Sequence, residues 1–520
     1  MTTMQQPAAA PDREVGRQSP LTGALVGMLS LGTFLGVAEL AAGLVGPAAA
    51  PAIAIGQRTI DAAPHELKDF AVRTFGEADK VVLLAGIFVT LAVLAAVAGA
   101  VAARRLRLGV VAIALLAAVT ATAAVTAPTG RVLDAIPSLL GGLAAAGVLR
   151  LLLGHRRGAA DQPAGGKPLS RRALLGYGAA IAAGAAAAGI VGRTLLADAG
   201  RAAASRLGVV LPRPASPAPA PVGDPQAAGA APFYTPNADF YRVDTALTVP
   251  NVDAATWSLR ISGMVDRPVT LSFDDLLARP LVERDITLTC VSNEVGGPYV
   301  GTARWTGVLL APLLEELGLQ AGAEQVLSRS VDGWTCSTPT SAVTDGRDAM
   351  LAVSMNGEPL PLEHGFPVRM VVPGLYGYVS ATKWVTELEL TTFDETAYWT
   401  TRGYAEQAPI KTSSRIDTPK PLAKLAAGPV AIAGVAWAQG TGIESVEVSI
   451  DEGPWQRARL AGEAGIDTWR QWVLQWDATP GSHRLVVRAT DKAGTTQTAT
   501  RRPIFPDGAT GRQEVLVTVA

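Results

Sequence analysis

Five stretches of this chain are each about 20 residues long or more and almost wholly apolar: Leu21–Gly46, Val81–Ala102, Gly109–Ala127, Val132–Leu153 and Ala173–Gly192. A helix crossing hydrocarbon needs about 20 such residues, and it must satisfy its own backbone because no water is present to do so. The pattern splits the 520 residues into a membrane-type part and a water-soluble part. All ten tryptophans and both cysteines lie after residue 231. Formal net charge is -1, so the basic footprint of a nucleic-acid binder is missing and no nucleic-acid partner is expected. Two cysteines exclude a disulfide-dense scaffold and any four-cysteine zinc or iron–sulfur site.

Orientation follows from the basic residues. Arg104, Arg105 and Arg107 separate the second and third stretches, and Arg156, Arg157, Lys167, Arg171 and Arg172 separate the fourth and fifth. Both loops are expected in the cytoplasm with residues 1–20, which puts everything after Gly192 outside. Only Arg131 falls on the disfavoured side. The apolar piece Pro47–Ile55 is too short to span and reads as re-entrant or interfacial. Ser170–Leu175 resembles a twin-arginine export signal, and equally suits two topology-setting arginines; cleavage after this helix stays open. No histidine lies in a stretch (His65 and His155 are in loops), so paired axial histidines for haem are not expected inside the bilayer. Intramembrane charge is nearly confined to Asp134 and Arg150, near span ends. That favours an anchor or partner-docking bundle over a transporter.

Residues 193–232 read as a linker, because Leu211–Pro232 is Pro/Ala-rich and predicts an extended spacer without a packed core. Residues 233–414 mix strands (Trp257–Met264, Val385–Leu390) with short helices (Phe273–Leu277, Ala311–Glu316), an α+β pattern. Residues 415–520 show short alternating strands at Val430–Trp437, Ile443–Ile450, Arg470–Asp477, His483–Ala489 and Val515–Val519. Regular short strands over this length read as an immunoglobulin-like sandwich. The fold class expected is an all-α membrane bundle, then an α+β domain, then an all-β sandwich.

Two motifs carry chemistry. Cys290 ends the apolar run Ile286–Thr289 and precedes a Gly-containing loop. A thiolate there is a soft metal donor, and a buried apolar thiol or a disulfide with Cys336 are the alternatives. Downstream, His364, Arg369 and Lys383 flank the turn Pro373–Gly377. Backbone N–H groups with nearby cations can cradle a phosphate, and a charge-stabilised loop is the plain alternative.

With these motifs, the chain from about Phe233 to Ala520 resembles the sulfite oxidase family of molybdopterin-dependent oxidoreductases. Three segments carry the likeness: Phe240–Asn251, Thr287–Val308 around Cys290, and Met355–Trp384. The resemblance implies a molybdenum–molybdopterin cofactor, with Cys290 as the metal ligand. It implies that Tyr241, Arg242, Ser337, Thr338, His364, Arg369, Ser380, Thr382 and Lys383 contact the cofactor, and that Trp305, Tyr404 and Arg470 form the substrate pocket. One departure stands out: Glu294 follows Asn293 where sulfite-oxidising members tend to place an arginine. No haem or iron–sulfur cluster is expected, so electrons pass to a separate cytochrome or quinone-linked carrier. The expected reaction is oxygen-atom transfer on a small sulfur or other oxyanion substrate. Sulfoxide reduction is the alternative within the family, and a non-catalytic ligand-binding membrane protein the alternative outside it. The C-terminal domain, which dimerises many members, leaves a homodimer open.

Overall fold

Ser19 starts the first helix by accepting a hydrogen bond from Thr22 N at 3.2 Å, with Pro20 at the first helical position. The computed structural model describes residues 19–154, 171–196, 199–220 and 227–520. They fall into two compact units, Met1–Asp198 and Ala199–Ala520.

The first unit is helical: α1 (Pro20–Val45), α2 (Pro51–Ala62), α3 (His65–Phe75), α4 (Asp79–Arg104), α5 (Leu106–Val125), α6 (Ile136–Gly154) and α7 (Arg171–Leu196). Four described segments are long and apolar enough to cross a membrane: Pro20–Val45, Asp79–Arg104, Leu106–Val125 and Val132–Leu153. They coincide within a few residues with the first four apolar stretches. The fifth stretch is α7. Small residues let the helices touch backbone to backbone. A Cβ on Gly36 would overlap the Ala185 carbonyl of α7, and one on Gly99 would overlap the Gly23 carbonyl of α1. The sequence reading of intramembrane charge overlooks Glu39, which lies in α1 where Gly192 of α7 packs on its backbone. Arg131, expected from the basic loops to fall on the disfavoured side, donates to Val45 O at 3.1 Å at the end of α1 and pairs with Asp134 at 3.5 Å. The helix end and the carboxylate thus offset its charge. Pro47–Ile55 proves to be a short 3-10 turn plus the start of α2. Residues 1–18 and 155–170, with His155, Arg156, Arg157, Lys167 and Ser170, lie outside the described residues.

The second unit begins with α8 (Ala199–Gly208). The expected free spacer is instead laid against the domain. Ala202 is fully buried and donates to Asn251 Oδ1 at 3.1 Å, and Arg206 Nε reaches Leu360 O at 2.9 Å. Further on, Ala215 N donates to Leu281 O at 2.7 Å and Glu283 N to Ser216 O at 2.9 Å. Residues 209–220 form no helix. An extended chain keeps its backbone groups unpaired, and here the exposed edge of a strand takes them up.

Ten strands build the first domain of this unit. One sheet runs β2 (Val269–Ser272), β1 (Ser258–Gly263), β10 (Val385–Thr391), β5 (Gln325–Ser330), β6 (Thr335–Pro339), with β1 and β10 parallel. The other runs β3 (Val282–Thr289), β4 (Val300–Leu309), β7 (Met350–Met355), β8 (Glu358–Pro359), with β9 (Arg369–Val371) paired to β7. Helices α9 (Phe273–Leu277) and α10 (Leu310–Glu316) sit at the expected places. Trp257, Trp305, Phe366 and Met355 are among the side chains of their shared core.

The C-terminal strands form two sheets. The first is β11 (Ser413–Thr418), β13 (Gly428–Trp437), β17 (Arg470–Ala478), β16 (Arg459–Leu460). The second is β12 (Lys424–Leu425), β19 (Glu514–Val519), β18 (Gly481–Asp491), β14 (Ile443–Ile450), β15 (Gln456–Arg457). Ile432 and Trp472 from one sheet meet Val446, Val487 and Val517 from the other in one apolar core. Trp437 and Trp469 instead join the core of the preceding domain and fasten the two β-rich parts together.

Candidate functional site

Strand β3 delivers Cys290. Its last four residues are all buried, and the ladder with β4 ends at the pair Thr289–Val300. The turn that follows is closed by two backbone bonds and one to a side chain. Cys290 N donates to Tyr299 O at 3.0 Å, Asn293 N to Cys290 O at 3.0 Å, and Tyr299 N to Asn293 Oδ1 at 2.9 Å. Ser292 N points at Cys290 Sγ from 3.4 Å. The thiol is therefore fixed at a strand end, 8% exposed, and neither it nor Cys336 forms a disulfide.

A buried cationic cluster lies nearby. Arg369, on β9, stacks over the Trp305 ring at 5.0 Å and donates from Nη1 to His364 O at 3.2 Å. Burial pulls its pKa down to about 10. Lys383 Nζ sits 2.5 Å from Asp244 Oδ2, which Arg242 Nε also reaches at 2.8 Å. Burial lowers the Lys383 pKa to about 8 against the pull of Asp244. His364 Nε2 lies 3.1 Å from Asn237 O; a carbonyl only accepts, so this nitrogen carries the proton. Burial, then Arg369 and Lys383, push the His364 pKa down to about 4, which leaves the ring neutral at pH 7. Lys383 and Arg242 therefore share Asp244, with the Arg369 charge near Lys383, while Asp332, also near Lys383, is raised above the usual carboxylate range by burial. Gly365 allows the convergence: its φ is +110°, and a Cβ there would press on Arg369 Cβ and Lys383 Cα at 3.1 Å. Tyr241 links the two halves. It stacks on Phe240 at 5.2 Å, and its hydroxyl pKa is raised by burial and by Cys290 while Arg369 opposes.

Hydroxyls line the turn at residues 375–382. Ser380 Oγ donates to Leu375 O at 3.0 Å, Thr338 Oγ1 to Val379 O at 2.7 Å, and Thr382 Oγ1 pairs with Ser328 Oγ at 2.6 Å. These three hold the turn itself. An added Cβ on Gly377 would lie 3.9 Å from Thr289 O, so the turn runs beside the cysteine strand.

Three buried polar atoms here have no hydrogen-bond partner among the described residues: Thr289 Oγ1, Ser337 Oγ and Arg369 Nε. Such orphans each cost about 1–3 kcal/mol unless a bound group satisfies them. A surplus of buried positive charge suits a phosphate, and a fixed thiol suits a soft metal. Molybdenum–molybdopterin brings both, with hydrogen-bonding pterin edges, so the residues present fit that cofactor.

The sequence family described as "Oxidoreductase molybdopterin binding domain" matches residues 246–399. Mitochondrial sulfite oxidase of Homo sapiens is 31% identical over 322 residues, covering 52% of this chain and 59% of the relative. The uncharacterized oxidoreductase YuiH of Bacillus subtilis is 35% identical over 152 residues, covering 29% of this chain and 74% of the relative. The crystal structure of the sulfane dehydrogenase SoxCD from Paracoccus pantotrophus superposes with a TM-score of 0.50 at 25% identity, covering 55% of this chain and 82% of that one. The chain belongs to the sulfite oxidase family.

Within the sulfite oxidase family likeness, the structure gathers Cys290, Tyr241, Arg242, His364, Arg369 and Lys383, and lays Ser337, Thr338, Ser380 and Thr382 along the adjoining turn. Trp305 joins them beneath Arg369, while Arg470 and Tyr404 have partners of their own. Arg470 donates from Nε to Ala461 O at 2.9 Å and from Nη1 to Ile443 O at 2.8 Å, which braces the sandwich. Its neighbour Trp469 is 2% exposed and packs into the core of the first domain. Trp305 is fully buried beneath Arg369, a platform and not a pocket wall. Tyr404 is buried among the rings of Tyr378, Trp399 and Phe505, each 5.2–5.4 Å away. Arg304 forks onto Asp285 at 2.8 Å, and Arg402 donates to Tyr398 O at 2.6 Å. A cleft beside the cysteine turn is lined by Thr289, Asn293, Glu294, Tyr376, Trp437 and Gln497. Tyr376 and Asp244 escaped the sequence reading. The visible signal for Asp244 is an acid two residues after Arg242, and for Tyr376 an aromatic inside the Gly-rich turn. The chain spans 59% of the length of the human sulfite oxidase that it matches.

Proposed function

We propose that this chain is a membrane-anchored molybdopterin oxidoreductase that transfers an oxygen atom to or from a small sulfur or oxyanion substrate, exchanging electrons with a separate carrier. The carrying observation is the fixed Cys290 thiol beside a buried cationic cluster whose Arg369 Nε and Ser337 Oγ have donors to spare. The bound cofactor would supply the two-electron oxygen-transfer chemistry. The chain's part is to hold and place. Cys290 Sγ binds the metal as thiolate. Arg369, Lys383 and Arg242 neutralise the phosphate, and neutral His364, its Nε2 proton committed to Asn237, offers Nδ1 as an acceptor. Tyr241 separates thiol from guanidinium and excludes water.

A second reading, reduction of an uncharged sulfoxide, is favoured by one observation. Arg304, Arg402 and Arg470 all donate to internal partners, whereas Glu294 lines the cleft. Paired assays with artificial electron carriers separate the readings. Sulfite oxidation without sulfoxide reduction supports the first, and the reverse supports the second. Loss of neither activity in Cys290→Ala overturns both.

The five-span arrangement, with the N-terminus in the cytoplasm and the catalytic half outside, rests on the basic loops and on the neutralised Arg131. The twin-arginine reading of Ser170–Leu175, the immunoglobulin-like reading of the sandwich and a homodimer through it belong to the same proposal.

A further inference from the structure

Helix α3 is amphipathic in a way that the bundle does not use. Leu67, Phe70, Ala71 and Phe75 recur at helical spacing on one side, while Glu66, Lys68, Asp69 and Arg73 supply the charges. Leu67 is 55%, Phe70 57% and Phe75 39% exposed, and the two phenylalanine rings meet edge to face at 6.3 Å. Exposed apolar side chains scattered singly need no explanation; a ridge of them on one helix does. A single 3-10 turn, Gly76–Ala78, joins α3 to α4. The apolar surface continues there through Val81, Val89 and Val93, which are 68%, 64% and 58% exposed on a helix long and apolar enough to cross a membrane.

We propose that α3 lies flat in the bilayer interface, with Leu67, Phe70 and Phe75 inserted at the boundary between headgroups and acyl chains. The inference rests on the membrane reading of α4. The occupant is lipid because a single turn joins the ridge to a helix of spanning length whose apolar side chains are also exposed. By sequence α3 carries two acidic and two basic residues, so insertion is apolar and needs no anionic lipid. The helix would act as a float that fixes the depth of α4.

Both native cysteines are buried, so introduced thiols can be labelled selectively in the full-length protein in nanodiscs. An environment-sensitive fluorophore is placed at Phe70→Cys, at Leu67→Cys as a second variant on the same side, at Glu66→Cys on the polar side, and at Val89→Cys in the span. The expected result is quenching of the 67 and 70 probes by a nitroxide high on the acyl chain, with shielding from aqueous iodide, and the reverse at 66. Zwitterionic and anionic nanodiscs should behave alike. Iodide quenching at 67 and 70 equal to that at 66 overturns the proposal. Shielding of 67 and 70 from both quenchers also overturns it, since protein would then cover the ridge. A deep nitroxide reports on Val89→Cys separately: its failure to quench would sink the span reading itself.

Discussion

Protonating His364 should destabilise the catalytic unit of the apoprotein, and replacing it with a side chain that cannot titrate should remove that sensitivity. The imidazole is 3% exposed, hemmed by Arg369 and Lys383, and its pKa falls from the ordinary 6.5 to about 4. A group with a depressed folded-state pKa binds fewer protons folded than unfolded between those two values. Stability is therefore intact above pH 6.5 and drains as pH falls toward 4. At 1.36 kcal/mol per pKa unit the loss is about 3 kcal/mol. For a domain of this size, that lowers the unfolding midpoint by roughly 6–12 °C. His364→Gln keeps a donor for Asn237 O and does not titrate. Thermal unfolding of both proteins without cofactor, from pH 7 down to 4, isolates the effect by difference, because surface carboxylates such as Asp345 contribute equally to each. The wild type should lose about 3 kcal/mol more than the variant. Bound cofactor phosphate should shrink the gap, since an added anion raises the His364 pKa. Parallel curves for the two apoproteins would refute the argument that this ring is held neutral by burial among cations.

Lys383 works at the other end of the scale: the apoprotein should gain stability between pH 8 and 10.5, and Lys383→Met should abolish the gain in the same unfolding assay. Gly365→Ala forces a Cβ into a φ of +110° and onto Arg369 and Lys383, so about 1–3 kcal/mol of stability and a large share of retained pterin should be lost, read by denaturant titration and pterin fluorescence. Arg470→Ala should cost about 3 kcal/mol through two lost bonds from a charged donor while leaving the substrate KM unchanged. A raised KM without a change in stability would restore its anion-binding role.

The sequence exposed what periodicity and composition control. The apolar stretches end within a few residues of α1, α4 and α5, and Ile443–Ile450 coincides with β14, because burial on one side or all sides leaves a repeating mark. The cofactor cluster was legible through family likeness, since Cys290, His364, Arg369 and Lys383 stand in matching runs. What escaped was set by distant partners. Arg470 could be matched to a pocket, but only the carbonyls of Ala461 and Ile443 show where its donors go. The Pro/Ala-rich segment declared itself extended, and nothing in its composition revealed that the edge at Leu281–Glu283 would pair with it. Glu39 went unread within its apolar run, and only the fold shows Gly192 of α7 packed on its backbone. Asp244 acquires its meaning only when Lys383, distant in sequence, arrives at 2.5 Å.

The most direct test is the molybdenum and pterin content of full-length wild type and Cys290→Ala, both produced in a host that makes the cofactor. The wild type should carry near-stoichiometric metal and pterin. The variant should fold, lose tightly held metal, and retain pterin through Arg369 and Lys383. Folded wild type devoid of both, or a Cys290→Ala variant that holds metal as firmly as the wild type, would contradict the account.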